Sequence, residues 1–352
     1  MPSIDKLHLN ELINQALKEN AVSLSFNISS YPIMKIRDNL KVLEDAPILT
    51  KEFLETIMDS ILNDMQKELL KKEKELTIGY DWSNDVRLMV NFFYQRDSLS
   101  ITIKIVPTVF KDITELNLPN VVNDIIKMKS GLVIVCGPVS SGRTTTISSI
   151  LEYFNKNTDN RIVTLECPIE RQFINKKSII QQREIGRDVD SIADGLNDVI
   201  DEDVNIVYAA KVSAKEDVKA MLQVANSGKL VFAIMDLDSI ISVLDQIYGS
   251  FELSEKDWAR SLLVESLRVI INQRLIPRSG GGEILASEVF TMTSTSHSML
   301  KSGNFDQIKS IIQTSRRDNM QDLDTVLRTM VQNGIIELEN AKKYSNNPEI
   351  FK

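Results

Sequence analysis

The sequence predicts a two-domain α/β protein, and three observations lead to this prediction. The chain has 352 residues and is 43% hydrophobic, which is sufficient for two globular domains with separate cores. The first part of the chain contains short segments of alternating polar and apolar residues joined by tight turns, as antiparallel strands do. From about residue 121, continuous apolar segments alternate with helical stretches, which indicates a parallel sheet buried on both faces.

Residues 1–105 are predicted to form an α+β domain built mainly from local hairpins. Apolar residues recur at helical spacing over residues 5–20 and 51–74. The other segments alternate as half-buried strands do, with tight turns at Arg37-Asp38-Asn39 and at Arg96-Asp97-Ser98.

Residues 106–120 are predicted to be a linker, because they contain two prolines and show little periodicity. The second domain then covers residues 121–352 and has a helical C-terminal part. The tail from about residue 256 is predicted to be mostly helix, and the glycines at 280–282 mark a turn between strands. The buried strands are expected at GLVIVCG (131–137), RIVTLEC (161–167), NIVYAA (205–210) and LVFAIM (230–235).

Composition excludes several classes of protein. The chain carries 41 basic and 49 acidic residues, a net charge of −8 that disfavours non-specific binding to nucleic acid or to a membrane surface. The two cysteines, Cys136 and Cys167, form no CxxC pair, which argues against a zinc site or a disulfide framework. The N-terminus lacks the apolar core of a signal peptide, and no apolar stretch approaches the roughly 18 residues of a membrane span. We therefore expect a cytoplasmic protein.

The segment GLVIVCGPVSSGRTTT (131–146) has the spacing of a phosphate-binding P-loop. In such a loop, glycines let several backbone N–H groups point at one anion, and the N-terminus of the following helix adds partial positive charge. A lysine then reaches the phosphates and a Ser or Thr hydroxyl holds magnesium. Gly137, Gly142 and Thr144 keep the spacing, so we expect ATP as ligand and Thr144 as the Mg²⁺ ligand. The residues expected to contact nucleotide are Gly137, Pro138, Ser140, Ser141, Gly142, Arg143, Thr144 and Thr145.

Arg143 stands at the position of the P-loop lysine. It keeps the positive charge, but a guanidinium is a wide planar fork and an ammonium is a compact point charge. We expect this change to misplace the terminal phosphate, and a shift near 1 Å can cost on the order of a hundredfold in rate. The alternative is that residues 137–142 form only a glycine- and serine-rich turn between strand and helix.

Several further segments share a pattern with a known family. They are VRLMVNFFYQR (86–96), KIVP (104–107), TLECPIE (164–170), QQREIGRD (181–188), NSGKLVF (226–232), ESLRVIINQRL (265–275) and NMQDLD (319–324). Together with the P-loop, they resemble the type IV pilus retraction ATPases, within the larger family of type II and type IV secretion motors. The resemblance covers nearly the whole chain and is weakest at the N-terminal end.

The resemblance implies a PAS-like N-terminal domain followed by a RecA-like P-loop NTPase domain. It also implies a ring of six subunits with nucleotide at the subunit interfaces, where ATP turnover drives pilus disassembly. The implied partners are a pilus motor ATPase, in a homo- or hetero-hexamer, and the platform protein of the inner membrane at the pilus base. No nucleic-acid partner is expected.

The chain departs from the family's chemical motifs at several positions. In the acidic box, Glu166 and Glu170 remain, but Cys167 replaces the aspartate; Glu166 is the candidate catalytic residue, or alternatively an ordinary loop carboxylate. At the end of the Walker B strand, Ala210 and Lys211 replace glycine and glutamate. Lys211 either neutralises phosphate charge or is a solvated surface residue.

The two histidines of the family's histidine box are also replaced, by Lys229 and Asp236. Asp236 follows an apolar strand and therefore either serves magnesium or opens the next helix. Among the family's interface cations, Arg87 and Arg96 are kept and Lys104 stands for an arginine; the alternative for Arg87 and Arg96 is a solvated hairpin.

The expected function is therefore that of a retraction-ATPase-like protein that binds nucleotide, hydrolyses it weakly or not at all, and is a regulatory or structural partner of an active pilus motor. The first alternative is an active, divergent ATPase that uses Glu166, Thr144 and Arg143. The second is an assembly protein that never binds nucleotide. A helicase-type use of the domain is disfavoured by the acidic charge balance and by the lack of a basic, aromatic-rich stripe.

Overall fold

The computed structural model describes residues 4–36, 39–83, 86–303, 305, 307–315 and 318–351. The chain divides into two compact units. The first contains Met1–Val109 and Pro168–Gln172, and the second contains Phe110–Cys167 and Phe173–Lys352. The predicted order, an α+β domain followed by a parallel-sheet α/β domain, is confirmed.

In the first unit, six strands of the described residues form an antiparallel sheet in the order β3-β2-β1-β6-β5-β4. The strands are β1 (Ser23–Asn27), β2 (Ile33–Ile36), β3 (Asn39–Val42), β4 (Glu75–Ser83), β5 (Val86–Gln95) and β6 (Ser98–Pro107). The helices are α1 (Ile4–Lys18), α2 (Lys51–Ile61) and α3 (Asp64–Glu73). Arg96 and Asp97, with φ angles of 47° and 60°, form the predicted turn between β5 and β6. The other predicted turn includes residues 37 and 38, which lie outside the described residues.

The helical prediction for residues 51–74 is confirmed, but the structure divides the segment into two helices, α2 and α3. Leu62 is extended, with φ −92° and ψ 136°, and ends α2. Asn63 then starts α3: its side chain accepts the Gln66 N–H at 2.9 Å, and the Gln66 side chain accepts the Asn63 N–H at 3.1 Å. This reciprocal cap satisfies two backbone donors and begins a new helix inside an unbroken apolar pattern.

The second unit contains a seven-stranded sheet in the order β13-β12-β7-β11-β10-β8-β9, in which β13 alone runs antiparallel to its neighbour. The strands are β7 (Gly131–Cys136), β8 (Arg161–Glu166), β9 (Ile179–Glu184), β10 (Ile206–Ala209), β11 (Leu230–Met235), β12 (Leu267–Pro277) and β13 (Glu283–Thr291). The first helices are α4 (Val122–Ile125), α5 (Arg143–Asn157), α6 (Ile192–Asp198), α7 (Lys215–Asn226) and α8 (Ile240–Gly249). They are followed by α9 (Lys256–Ser266), α10 (Ser294–Ser302), α11 (Ile308–Thr314), α12 (Leu323–Gln332) and α13 (Leu338–Tyr344).

The centre of this sheet is buried on both faces. Every residue of β7 and β11 is buried, which explains their continuous apolar sequences. Successive side chains of β7 enter different clusters: Leu132 and Ile134 pack in one, and Val133 and Val135 in another. Because β7, β8, β10 and β11 are paired in parallel, their carboxyl ends lie at the same edge of the sheet. Ligands bind at this edge in open parallel α/β sheets.

The prediction of a mostly helical tail is wrong for residues 267–277. Helix α9 ends at Ser266, and β12 begins at Leu267, pairs in parallel with β7, and pairs with β13 across the turn that contains Gly281 and Gly282. A short apolar run does not distinguish a buried strand from a buried helix by periodicity, and the β-branched residues Val-Ile-Ile (269–271) favour the strand. This correction matters because β12 lies directly beside the P-loop strand.

Two local features complete the fold. The segment 106–120, expected as a linker, contains the end of β6 and a 3-10 turn at Ile113–Glu115. A second 3-10 turn lies at Pro348–Ile350. Within the described parts of the chain, no helix combines the length and the apolar character needed to cross a bilayer.

Candidate functional site

The loop between β7 and α5 is curled by residues with positive φ angles. Gly137 has φ 142°, Ser140 has φ 67° and Gly142 has φ 87°. The Gly137 N–H donates to the carbonyl of Leu237 at 2.6 Å, which fixes the start of the loop against the end of β11. A Cβ on Gly137 would lie 2.5 Å from the carbonyl oxygen of Gln273 and 2.6 Å from Ser141 Oγ, so only glycine fits there.

The N-terminus of α5 opens into this loop. The helix begins at Arg143, and its N-cap is Gly142, which has no side chain to satisfy the first N–H groups. Ser141, 3% exposed, directs into the loop a buried hydroxyl that has no hydrogen-bond partner among the described residues. The N–H groups of Gly137 and Ser141 already donate to the carbonyls of Leu237 and Pro138. The uncapped helix N-terminus and the unsatisfied buried hydroxyl of Ser141 are the features that fit an anion such as a phosphate.

Strand β12 supports the loop from the other side. Gln273, fully buried, donates through Nε2 to the hydroxyl of Thr146 at 2.9 Å, and its carbonyl lies against Gly137. Sequence reasoning did not assign Gln273 to the site, because this segment was interpreted as helix. The available signal was its position inside ESLRVIINQRL, one of the segments that carry the family resemblance.

Arg143 does not extend freely into the loop. Its Nη1 donates to the carbonyl of Met235 at 3.2 Å and forms an ion pair with the carboxylate of Asp236. Asp236 does not cap helix α8, because Ser239 is the N-cap and accepts the Ser242 N–H at 3.0 Å. The helix-cap alternative for Asp236 is therefore wrong, and service as a magnesium ligand would compete with its ion pair to Arg143.

Glu166 lies at the carboxyl end of β8, at the same edge of the sheet as the P-loop. It is 3% exposed, and its Oε1 accepts hydrogen bonds from Thr164 Oγ1 at 2.7 Å and from Gln182 Nε2 at 3.0 Å. The carboxylate is thus tied to its own strand and to the neighbouring strand β9. To activate a water molecule, it would have to do so from within this buried network.

Cys167 and Lys211 stand where the family has an aspartate and a glutamate, and both are exposed. Burial and the nearby Glu184 raise the pKa of the Cys167 thiol, while Lys211 acts in the opposite direction. Lys211 is therefore close enough to influence the end of β8 electrostatically. Lys229, which replaces one histidine of the family's histidine box, lies at the amino end of β11, whereas Asp236 follows the carboxyl end of the same strand. The Lys229 ammonium donates to the carbonyl of Glu202 at 2.9 Å.

The basic residues expected at subunit interfaces belong to the first unit. Arg87 is 6% exposed; it pairs with Asp81 and donates through Nε to the carbonyl of Ile169 at 3.0 Å. Arg96 is exposed in the β5–β6 turn, and Lys104 lies 3.6 Å from a carboxylate oxygen of Glu170. Arg87 is thus an internal anchor of the segment Pro168–Gln172.

The residues present offer little beyond Thr144 for a metal ion. Across the described ranges, no three His, Cys, Asp or Glu side chains cluster as metal ligands do. Thr144, half-buried in the first turn of α5, is placed as a P-loop threonine would be. If magnesium binds, Thr144 and the phosphates would hold it, because Glu166 and Asp236 have the partners described above.

A cavity of about 480 Å³ lies in the second unit between residues 117–120, β13 and α12, and its lining does not include the P-loop. Two of its amide side chains hydrogen-bond to backbone carbonyls of β13. Asn117 donates to the carbonyl of Leu285 at 3.1 Å, and Gln321 donates to that of Ser287 at 2.8 Å. Residues 319–322 of the family segment NMQDLD line this cavity, whereas the residues expected to contact nucleotide lie at the P-loop edge.

Comparisons with known proteins agree with this arrangement. The family model described as "Type II/IV secretion system protein" matches residues 112–298. The chain is 29% identical over 345 residues to the "Type IV pilus retractation ATPase PilT" of Pseudomonas aeruginosa, covering 98% of this chain and 100% of that protein. It is 27% identical to a "Twitching motility protein" of Neisseria gonorrhoeae, covering 90% of this chain and 85% of that protein.

A solved structure extends the similarity to three dimensions. The crystal structure of the pilus retraction motor PilT with bound ADP is 30% identical to this chain, has a TM-score of 0.86 and covers 97% of each chain. This match confirms an N-terminal domain followed by a RecA-like domain. The chain therefore belongs to the type II/IV secretion system proteins and, within them, to the type IV pilus retraction ATPase family.

Proposed function

We propose that this chain binds ATP at residues 137–145, hydrolyses it weakly or not at all, and acts as a regulatory or structural partner of an active pilus motor. The observation that carries this proposal is the loop itself. It has a curled backbone and an open helix N-terminus, which suit a phosphate, and the buried Ser141 hydroxyl is available as a further hydrogen-bond donor. Backbone donors supply much of phosphate binding in such loops, so nucleotide binding tolerates the loss of the lysine.

Hydrolysis depends more strongly on the groups that have changed. Phosphoryl transfer is almost entirely positioning and electrostatic stabilisation, and single elements of such sites contribute roughly tenfold to ten-thousandfold. The changed positions are Arg143, Cys167, Lys211, Lys229 and Asp236. Their effects overlap, because residues that act as a unit are not additive. Lys211 places a cation where the family has a carboxylate, which opposes the binding of a second cation such as magnesium.

The partners follow from the family and from the length of the match. Because the chain and its PilT relatives align over nearly their full lengths, we propose a ring of six subunits, either of this chain alone or mixed with an active motor. We place this ring in the cytoplasm, against the platform protein of the inner membrane at the base of the pilus. The net charge of −8 gives no support to a nucleic-acid partner.

Two assays on the purified full chain test the proposal. Titration with a fluorescent ATP analogue is expected to give saturable binding in the micromolar to millimolar range, with Gly137→Ala as the variant that disrupts the loop. Steady-state phosphate release is expected to stay at the buffer background. Absence of binding up to millimolar nucleotide would instead favour the assembly protein that never binds nucleotide.

An active, divergent ATPase is the second candidate, because Glu166 and Thr144 remain at the sheet edge. The variant Glu166→Gln keeps the side-chain size and the acceptor oxygen for Thr164 and Gln182 but removes the charge. Phosphate release by the wild-type protein that disappears in Glu166→Gln would establish this second candidate and overturn the proposed loss of hydrolysis.

A further inference from the structure

The cation of the P-loop is held by an acid at the neighbouring strand end. The guanidinium of Arg143 is directed to the carboxyl end of β11, where it contacts the carbonyl of Met235 and the carboxylate of Asp236. The Arg143 side chain is 10% exposed and that of Asp236 is 46% exposed, so the ion pair is shielded on the arginine side and open on the aspartate side.

Backbone contacts keep Asp236 in place beside the loop. Leu237, the next residue, accepts the Gly137 N–H at 2.6 Å, so the chain that carries Asp236 is joined to the first residue of the loop. Further along, the carbonyl of Asp238 accepts hydrogen bonds from Asn272 at 3.0 Å and from Arg274 at 2.6 Å. The segment that follows β11 is therefore held by hydrogen bonds at Leu237 and Asp238, the two residues after Asp236.

We propose that Asp236 is a latch on the nucleotide site: it holds Arg143 away from the phosphate position, and nucleotide binds only when this ion pair opens. This inference rests on the proposed nucleotide binding. A phosphate and the Asp236 carboxylate compete for one guanidinium, because both are oxyanions that suit its planar fork. While the pair is closed, the loop offers its amide donors but no uncompensated side-chain charge from Arg143.

The size of the effect follows from the exposure of the pair. A partly exposed ion pair contributes modestly, so opening it is expected to weaken nucleotide binding by about three- to tenfold. Removal of the carboxylate releases Arg143 and should recover that factor. The latch requires that this gain in nucleotide affinity depends on Arg143. A gain caused only by relief of repulsion between Asp236 and the phosphates would not depend on Arg143.

The test is a double-mutant cycle on the full chain, with N-methylanthraniloyl-ATP as the probe. The dissociation constant is measured for wild type, Asp236→Asn, Arg143→Gln and the double variant. Asp238→Asn is the matched control, because it removes the same charge two residues away on the same loop and its carbonyl contacts remain. Asp236→Ala is a second release variant, and circular dichroism verifies that each protein is folded.

We expect Asp236→Asn and Asp236→Ala to lower the dissociation constant about three- to tenfold, and Asp238→Asn to change it less than about twofold. In the Arg143→Gln background, Asp236→Asn should change it less than about twofold. Binding that emerges only in the Asp236 variants also supports the latch.

The latch would be overturned if Asp238→Asn lowered the dissociation constant as much as Asp236→Asn, or if Asp236→Asn still lowered it in the Arg143→Gln background. Either result would leave the proposed nucleotide binding intact. Unchanged affinity in both Asp236 variants would also overturn it. If neither wild type nor the Asp236 variants bind the probe, the proposed nucleotide binding itself fails, and the latch fails with it.

Discussion

At the level of single residues, Gly137 decides whether the loop can close. Its φ of 142° lies in a region that residues with a side chain rarely adopt, and a Cβ would meet the backbone of Gln273, which cannot move like a flexible side chain. The positions of both loop glycines were predictable from spacing alone. The partner that makes Gly137 indispensable was not, because Gln273 lies far away in sequence.

Gly137→Ala is expected to destabilise the protein by about 2–4 kcal/mol, because the variant adds both backbone strain and a steric clash. Gly142→Ala should cost about 1–2 kcal/mol, since its added Cβ meets Leu275 only at an ordinary 3.6 Å. Gly280→Ala is the control, because a Cβ there meets nothing within 4 Å. The midpoints of urea unfolding give the order of stability of the three variants. Equal midpoints for Gly137→Ala and Gly280→Ala would contradict the described loop.

The two cysteines are expected to differ in reactivity. Cys136 is fully buried and its pKa is strongly raised by burial, whereas Cys167 is exposed with a pKa raised by partial burial and by Glu184. Iodoacetamide should modify Cys167 alone in the folded protein, slowly at pH 7 and faster above pH 9 as the thiolate forms. Mass spectrometry of wild type and Cys167→Ser identifies the site; modification of Cys136 at the same rate would show that the end of β7 is not packed as described.

At the level of elements, β12 is the strand that the sequence did not predict. Its residues were predicted as part of a helical tail, because ARSLLVESLRVIINQRL (259–275) contains apolar residues at intervals compatible with either state. Pairing with β7 on one side and β13 on the other decides for a strand. By contrast, β7, β8, β10 and β11 were predictable, because each is a short, continuous apolar run in a region of alternating strands and helices.

The β12–β13 pair also buries a carboxylate. Glu288 is 5% exposed and lies opposite Asn272 in the register of the two strands. Burial is the main cause that raises its pKa, and Asp322 raises it further, while the hydrogen bond from Asn272 and the charges of Lys309 and Arg274 lower it. A raised folded-state pKa means that ionised Glu288 is less favourable in the folded than in the unfolded protein.

Glu288→Gln is therefore expected to stabilise the protein at pH 7–8, where Glu288 would have to ionise in the folded state. The gain should shrink toward pH 4, because the carboxyl group is then protonated in both states. Thermal unfolding of wild type and Glu288→Gln across this range measures the difference. Glu283→Gln, an exposed position on the same strand, should show no such trend; a gain that grows toward acid pH would contradict the sign of the shift.

At the level of the whole molecule, the acidic box is divided between the two units. The chain leaves the second unit after Cys167, passes through the first unit as Pro168–Gln172, and returns at Phe173. In the first unit, Arg87 holds this segment through the carbonyl of Ile169, and Gln172 donates to Asp81 at 3.1 Å. The sequence identified Arg87 through the family resemblance, but its burial depended on contacts about 80 residues apart and could not be predicted.

Arg87→Ala is expected to loosen the segment Pro168–Gln172, because it removes both the ion pair to Asp81 and the hydrogen bond to Ile169. Hydrogen–deuterium exchange of peptides that cover residues 166–173 should accelerate by about tenfold, the effect of roughly 1.4 kcal/mol of lost local stability. Arg96→Ala, in the exposed β5–β6 turn, is the control and should leave these peptides unchanged. Equal exchange rates in wild type and Arg87→Ala would show that Arg87 does not anchor this segment.

The most direct measurement of nucleotide binding without turnover is ³¹P NMR of ATP and magnesium in the presence of the full chain. It reports binding, as broadening or displacement of the phosphate resonances, and hydrolysis, as the growth of inorganic phosphate, in one sample. We predict that the ATP resonances broaden with added protein and that their total intensity stays constant over hours. Steady growth of inorganic phosphate that depends on Glu166, or resonances that remain unchanged at millimolar protein, would contradict the account.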